Sequence, residues 1–453
     1  MVGAGLAGLV AATNLRRAGR TVAVLEARPR VGGRVFNHDI GNGEATERGG
    51  TFVGPTQDRL LALSDRLGVE RFPTFAEGEN VYVDANGTRS TYSDTGPLGT
   101  APPDPAIAAD LAQVVVRLDQ MSTEVPVDGP QNSSSAEEWD QQTLETWIRA
   151  NSASPQFRRI VPVATRPIFG AEPRDLSLLF VLFYIAASGN ETNPGTFERN
   201  FNTRDGAQMF RFVGGSQRVP LELARRLGEY RVVLRSPVKE IRQSRDAVHV
   251  HSERLDVVAD RVVVAVPPPL AARIEYDPPL PADRDQLLQR LAQGTLTKVT
   301  AVYDEPFWRS DGLNGTAVSH DGPVNVTYDG SPPDGDPGVI FGFVGGDEAR
   351  RFRTLSASAR RAAALANLVK LFGAGAASPR EYLETDWTAS QWSRGGPTSI
   401  AGPGTLLAYG DLIRRPAGRI HWAGTETSTY WNGYMDGAIR SGERAAAEVL
   451  AEL

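Results

Sequence analysis

Gly3, Gly5 and Gly8, in the run Gly3-Ala4-Gly5-Leu6-Ala7-Gly8, have the spacing at which a backbone can turn against a pyrophosphate. The first two glycines permit a tight turn and close approach of phosphate oxygens. The third lets the next helix pack on its strand, and the N-terminus of that helix offers partial positive charge to the phosphates. Glu26 stands 18 residues beyond Gly8, ending the apolar run Thr21-Val22-Ala23-Val24-Leu25. A carboxylate there accepts a hydrogen bond from a ribose hydroxyl and repels a 2′-phosphate. Together the four residues predict a bound dinucleotide.

Lys298 stands out through rarity. The chain holds 48 lysines and arginines, and only Lys239, Lys298 and Lys370 are lysines. Where arginine serves almost everywhere, a retained lysine points toward a need for a compact, titratable amine.

These side chains need a frame. A helix is expected over 9–17 and a strand over 21–25, followed by Gly-rich loops at Val31-Gly32-Gly33-Arg34 and from Glu47 through Gly54-Pro55-Thr56-Gln57. Residues 80–92 read as strand–turn–strand around Asn86-Gly87. Segments 96–106 and 124–137, rich in Pro, Gly, Ser and Asp, read as loops. Helical patterns run over 107–120 and 135–187. Strand patterns follow at 231–234, 236–243, 247–252 and 261–266, the last stopped by Pro267-Pro268-Pro269. An alternating segment spans 296–303, and helices are expected over 356–372 and 438–453. The dinucleotide motif lies at one end and Gly-rich strands recur later. The cofactor domain is therefore expected to be discontinuous, with a substrate domain inserted.

Composition narrows the function. A length of 453 residues suggests two or three domains at about 150 residues each. A hydrophobic content of 41% supports full cores, and a net charge of −6 argues against a general nucleic-acid binder. There is no cysteine, which excludes disulfides, thiolate metal sites and a thiol nucleophile; no metal site is expected. The longest apolar run, 176–187, is too short for a membrane span and reads as a buried helix. No signal peptide is visible, and a cytoplasmic protein is expected.

Near the C-terminus, Ile420-His421-Trp422-Ala423-Gly424-Thr425-Glu426-Thr427 precedes Trp431-Asn432-Gly433-Tyr434-Met435-Asp436-Gly437-Ala438 and a helix. This is what a second cofactor-contacting loop requires, and nicotinamide enzymes generally do without one. Further signposts occur in order: Gly32-Gly33-Arg34, Gly49-Gly50 to Gln57, Phe212-Val213-Gly214-Gly215, Thr297-Lys298, Glu305-Pro306-Phe307-Trp308 and Trp392-Ser393-Arg394-Gly395-Gly396. Over nearly its whole length the chain resembles the flavin-dependent amine oxidases, and among them the monoamine oxidases most closely.

The resemblance implies an α/β fold with a discontinuous Rossmann-like FAD-binding domain and an inserted α+β substrate domain, the two-domain architecture of amine oxidases and p-hydroxybenzoate hydroxylase. Residues 1–78, 209–285 and 388–453 would form the first, and 79–208 and 286–387 the second. It implies FAD held by Gly3, Gly5, Gly8 and Glu26 at the pyrophosphate and ribose, with Arg34 near the phosphates and Val238 by the adenine. Gly50, Thr51, Trp392, Gly424, Glu426, Gly433 and Met435 would complete the cofactor site. Lys298 would hold a water near the flavin, Tyr434 would flank the substrate amine, and Gln208 would reach the substrate cleft. The implied reaction converts a primary amine to an imine and then an aldehyde, with ammonia and hydrogen peroxide released and oxygen as electron acceptor.

Three departures are visible. The second aromatic position of the amine cage falls on Thr398, which leaves Trp387, Trp392 or Trp431 to supply a face. Pro397 stands where animal monoamine oxidases carry the flavin-linking cysteine, so the FAD is expected to be non-covalent. Only Met1 and Val2 precede Gly3, so either the true start lies upstream or the chain tolerates a nearly absent first strand. The chain stops at its last helix without the membrane tail of the animal enzymes, so no membrane anchor and a soluble protein are expected; a homodimer stays open. Three alternatives remain. An L-amino-acid oxidase would need a cation for the carboxylate, where the loop reads Gly54-Pro55-Thr56-Gln57. A diamine oxidase could use Glu191 or Glu198. A flavin-binding protein without oxidase turnover is the non-enzymatic reading. Polyene desaturases share the N-terminal signature but lack the Tyr434 and Lys298 context.

Overall fold

The computed structural model describes residues 1–95, 99 and 101–453. Part of the loop expected over 96–106 (residues 96–98 and 100) lies outside the described residues.

Short, mostly buried runs suit the centre of a parallel sheet, where both faces are covered. Four of them align here in the order Val232–Val233, Val24–Leu25, Val262–Val264 and Ile420–Trp422, with Val2 between the second and third. Val2 bridges Leu25 and Val264 in parallel, donates its N–H to Val263 O at 2.9 Å, and is followed by Gly3 N–H on Leu25 O at 2.8 Å. Two residues thus occupy the middle of the sheet and aim the glycine turn at its carboxyl edge. The strand expected over 21–25 shortens to Val24–Leu25, and the first helix spans Leu6–Arg17 because Gly5, in extended conformation, is its N-cap. The last helix, Met435–Ala451, packs against it. A four-stranded sheet of Asp256–Ala259, Val248–Ser252, Val238–Gln243 and Glu275–Asp277 adjoins this unit.

The second large element is a seven-stranded mixed sheet. Its order is Glu381–Asp386, Leu296–Tyr303, Gly338–Gly345, Val326–Asp329, Leu313–Ser319, Glu79–Val83 and Arg89–Tyr92. The hairpin expected over 80–92 forms its edge. Leu296–Tyr303 is not half-exposed as alternation suggests: all eight residues are buried. Val299 packs against Phe352 and Ala364, while Ala301 and Tyr303 pack with Trp308 and Leu368, so a helical layer covers one face. Successive side chains point to opposite faces, which turns Lys298 the other way.

The helical stretch expected over 135–187 breaks into Ala136–Asp140, Leu144–Asn151, Pro155–Phe169 and Leu178–Ala186. Thr143, Ser154 and Ser177 each cap a following helix by accepting a backbone N–H, and Gly170 (φ +63°) ends the third. The segment 124–137, expected as loop, includes a short 3₁₀ turn at Pro130–Asn132. The proline stop at 267–269 does end a strand, but Pro268 also opens a short helix, Pro268–Ala271, at a position where its missing N–H costs nothing. Leu178 to Ile185 are all buried. No described helix is long and apolar enough to cross a membrane.

Candidate active site

One cavity of about 420 Å³ touches both glycine loops and the inner face of the seven-stranded sheet. It gathers Gly3, Gly5, Glu26, Arg34, Gly50, Thr51, Val238, Trp392, Gly424, Gly433 and Met435 with Gln208, Lys298, Trp387 and Tyr434. Gly8, Thr398 and Glu426 are not among its wall residues.

The glycine turn divides its labour as its geometry demands. A Cβ on Gly8 would lie 2.1 Å from Gly3 O, so that glycine serves close packing of the turn. A Cβ on Gly5 would meet no atom of the described residues within 4 Å; it would project into open cavity. No side chain caps the helix that starts there. Its first N–H groups and its dipole therefore face the space where an anion fits. Glu26 accepts Ala4 N–H at 2.7 Å on one carboxylate oxygen and Arg28 N–H at 2.9 Å on the other. The carboxylate is fixed beside the cavity with lone pairs left for hydroxyl donors. Empty space at Gly5, an uncapped helix and an oriented acid fit a dinucleotide.

Glu426 pairs with Arg34. The guanidinium places Nη1 at 2.6 Å from Oε1 and Nη2 at 3.0 Å from Oε2, and Nη1 also donates to Pro397 O at 2.8 Å. Burial pushes the Glu426 carboxyl up, yet the Arg34 charge and hydrogen bonds prevail and hold it below the usual range. Arg34 thus joins the N-terminal loop to the C-terminal one while its side chain still borders the cavity.

Lys298 is buried at 1% exposure on the cavity face of its strand. Its ammonium nitrogen lies 2.7 Å from Thr51 Oγ1, 3.3 Å from Gly49 O and 3.9 Å from the centre of the Phe341 ring. Desolvation lowers its pKa to about 7; the charge of Glu47 opposes that shift and that of Arg211 adds to it. Glu47 and Arg211 are themselves a buried pair at 2.9 Å. Near neutral pH Lys298 can therefore hold a water or exchange a proton with one.

Tyr434 donates its hydroxyl to Asn200 O at 2.9 Å, and burial raises its pKa well above 10. The hydroxyl is fixed as a neutral phenol. Tyr184, in the buried helix Leu178–Ala186, packs on it with ring centroids 5.8 Å apart, and Phe169 meets Tyr184 edge-on at 4.7 Å. Thr398 is fully buried and its hydroxyl has no hydrogen-bond partner among the described residues. Its Cβ would lie 3.2 Å from a side chain on Gly433, so it packs beneath the Gly433 turn and does not reach the cavity. Trp431 is likewise off the wall, edge-on to Tyr434 at 4.8 Å with its indole N–H on Thr56 O. Trp387 is on the wall but tied to Arg48 O at 3.0 Å. The wall aromatic packed on Tyr434 is Tyr184, which the sequence motifs do not single out. Its signal is present, as the one hydroxyl within an otherwise apolar helix. Phe52, Tyr328 and Phe343 complete an aromatic surround on the wall.

Glu191 and Glu198 do not line the cavity. Glu191 is held by Arg440 at 2.7 Å. Glu198 is half-buried beside Asp119, and desolvation raises its pKa.

The family model described as flavin containing amine oxidoreductase matches residues 6–450. A Mycobacterium tuberculosis protein named as a flavin-containing monoamine oxidase, AofH, is 39% identical over all of this chain and 96% of its own length. The Sus scrofa flavin-containing amine oxidase A is 36% identical, covering 100% of this chain and 85% of that protein. Among solved structures, wild-type putrescine oxidase bound to putrescine superposes with a TM-score of 0.93 at 34% identity, over 99% of this chain and 98% of that one. Cyclohexylamine oxidase from Brevibacterium oxydans IH-35A also gives 0.93, at 33% identity over 100% and 98%. The fold, the paired glycine loops and these likenesses agree: the chain belongs to the flavin-containing amine oxidoreductase family and is an amine oxidase of the monoamine oxidase type.

Proposed function

We propose that the enzyme oxidises primary monoamines with an apolar body at a non-covalently held FAD, with oxygen as acceptor and aldehyde, ammonia and hydrogen peroxide as products. One observation carries this reading. Among the described wall residues Glu26 is the only carboxylate, and it belongs to the dinucleotide cradle. A diamine entering the aromatic end would leave its second ammonium desolvated and unpaired, a cost of several kcal/mol. Of the wall cations, Arg28 lies 3.7 Å from Glu26 and Arg34 is bound to Glu426, which leaves the near-neutral Lys298 as a weak anchor for an amino-acid carboxylate. The chain has no cysteine to link a flavin, and none of its five histidines lines the cavity.

FAD, when bound, supplies a two-electron acceptor for the carbon beside the amine and is reoxidised by oxygen. The chain supplies everything else. Gly3, Gly5, Glu26 and Val238 would hold the adenosine diphosphate portion, and Gly424, Gly433 and Met435 the remainder. Tyr434 and Tyr184 orient the amine, and their apolar surround favours the neutral, reactive form over the ammonium. Lys298 holds a water near the reacting centre and moves protons with it. The same reading divides the chain into a cofactor part (1–78, 209–285 and 388–453) and a substrate part (79–208 and 286–387).

Acid precipitation tests the cofactor claim, since a non-covalent FAD appears in the supernatant and a linked one in the pellet. For the substrate, kcat/KM for butylamine is expected to exceed that for 1,4-diaminobutane by about 30-fold or more, the equivalent of about 2 kcal/mol for stranding one ammonium. Equal values for the two amines would refute the monoamine reading.

A further inference from the structure

A second cavity, of about 220 Å³, shares no wall residue with the first. It opens between four helices: Leu6–Arg17, Asp58–Leu67, Arg218–Leu227 and Met435–Ala451. Helical periodicity sorts its wall into a floor and a rim. Each helix turns one aliphatic side chain inward and, one or two turns later on the same face, a charged one. The pairs are Val10 and Arg17, Leu63 and Arg66, Leu223 and Arg226, and Ile439 and Glu443. The four aliphatic residues are buried and the three arginines are exposed.

Charge at the rim is unbalanced. Arg16, also on the wall, donates to Arg226 O at 2.7 Å and Leu227 O at 2.9 Å. Arg226 in turn donates to Arg66 O at 2.9 Å and Leu67 O at 3.0 Å. These two arginines answer the carbonyls left open where two of the helices end. Arg17 and Arg66 are left over: neither guanidinium has a hydrogen-bond or ion-pair partner among the described residues. Glu443, the one wall carboxylate among the described residues, lies 3.6 Å from Arg59. A neutral apolar ligand would leave the two free cations unused, and a small polyanion would leave the aliphatic floor in water. An amphipathic monoanion satisfies both. An apolar cavity of about 150 Å³ already holds benzene, so this one takes a chain of about six to eight carbons.

We propose that this cavity binds a free aliphatic carboxylate of that length, its chain on the floor and its carboxylate against Arg17 and Arg66. Two of the walls begin beside the flavin site, Leu6–Arg17 at its N-cap Gly5 and Met435–Ala451 at its N-cap Tyr434. The bound anion therefore braces the far ends of the helix pair that frames the cofactor, and occupancy raises the melting temperature of the holoenzyme.

Calorimetric titration of the holoenzyme with butanoate, hexanoate and octanoate tests this, with amine turnover followed in parallel. Affinity is expected to rise up to about fourfold per added methylene. The double variant Arg17→Gln/Arg66→Gln should weaken octanoate about fivefold or more, the scale of two exposed ion pairs. Neither arginine borders the flavin site, so the variant should oxidise amines at the parent rate, and octanoate should not compete with the amine. Octanoate held in the amine cavity would instead inhibit competitively and bind parent and variant alike. That result, or no binding of octanoate at all, overturns the proposal.

Discussion

Arg34 and Glu426 are 392 residues apart in the chain and 2.6 Å apart at their closest N–O contact. The two parallel hydrogen bonds make this a bidentate pair. It fastens the loop after the first glycine turn to the loop before the last helix, which between them border one cavity.

Replacing Arg34 by Met should cost about 3–5 kcal/mol, because Glu426 would be left buried without its cation. The pH response should also change sign. In the parent the Glu426 pKa lies below its usual value, so its contribution is present above that value and is lost as pH falls. In Arg34→Met the hydrogen bonds from Gln293 and the backbone still lower the carboxyl pKa, but burial, the largest influence, acts without the opposing cation; the pKa rises, and stability should recover as pH falls toward 5. Melting temperatures of parent and variant across pH 5–8 check this.

Gly5 and Gly8 should fail in different ways. Ala at Gly8 meets Gly3 O and is expected to destabilise the fold by about 2 kcal/mol or more, as overpacking does. Ala at Gly5 has space in the ligand-free protein and should leave the apoprotein melting temperature nearly unchanged while flavin occupancy drops. Calorimetry of apoprotein together with the visible-to-ultraviolet absorbance ratio of the purified variants separates the two.

Lys298→Met should bind flavin yet lose on the order of 100-fold in kcat, the scale of positioned proton transfer. The parent should show a limb near pH 7 in its rate profile, absent in the variant, because the lysine pKa is lowered to about 7. Lys298→Arg should not restore activity, since arginine stays charged. Stability carries the same signature. A folded pKa below the unfolded 10.5 means that the contribution present above pH 10.5 is lost as pH falls toward 7. The Met variant should therefore gain in melting temperature relative to the parent over that descent.

Tyr434→Phe keeps the ring packed on Tyr184 and loses the hydroxyl bond to Asn200, so a loss of a few-fold in kcat/KM is expected. Tyr434→Leu removes the ring as well and should cost at least tenfold more, on the scale of about 1.5 kcal/mol for an aromatic contact beyond its area. Steady-state kinetics with one monoamine decides between a role for the ring and a role for the hydroxyl.

The legible part of the sequence followed from local rules. The Gly3–Gly8 spacing needs only a turn and a helix start, and the lysine at 298 is notable through its rarity alone. The last helix and the Asn86-Gly87 hairpin are written in period and turn residues. What stayed hidden depends on distant packing. The strands Leu313–Ser319, Val326–Asp329 and Gly338–Gly345 are buried by elements far along the chain, and two of them carry glycines, so they show no alternation. Thr398 reads as a site position along the linear chain, but the Gly433 turn lies over it. Tyr184 sits in an apolar helix that reads as plain core, and only the meeting of that helix with the Gly433 turn brings its ring to Tyr434.

The most direct test of the central claim is anaerobic mixing of the purified holoenzyme with an alkyl monoamine, 1,4-diaminobutane and L-leucine in turn, following flavin absorbance. The account predicts that the monoamine bleaches the flavin fastest, and that air restores the colour with release of hydrogen peroxide. A flavin bleached by the diamine or the amino acid in preference to the monoamine, or by none of them, would contradict it.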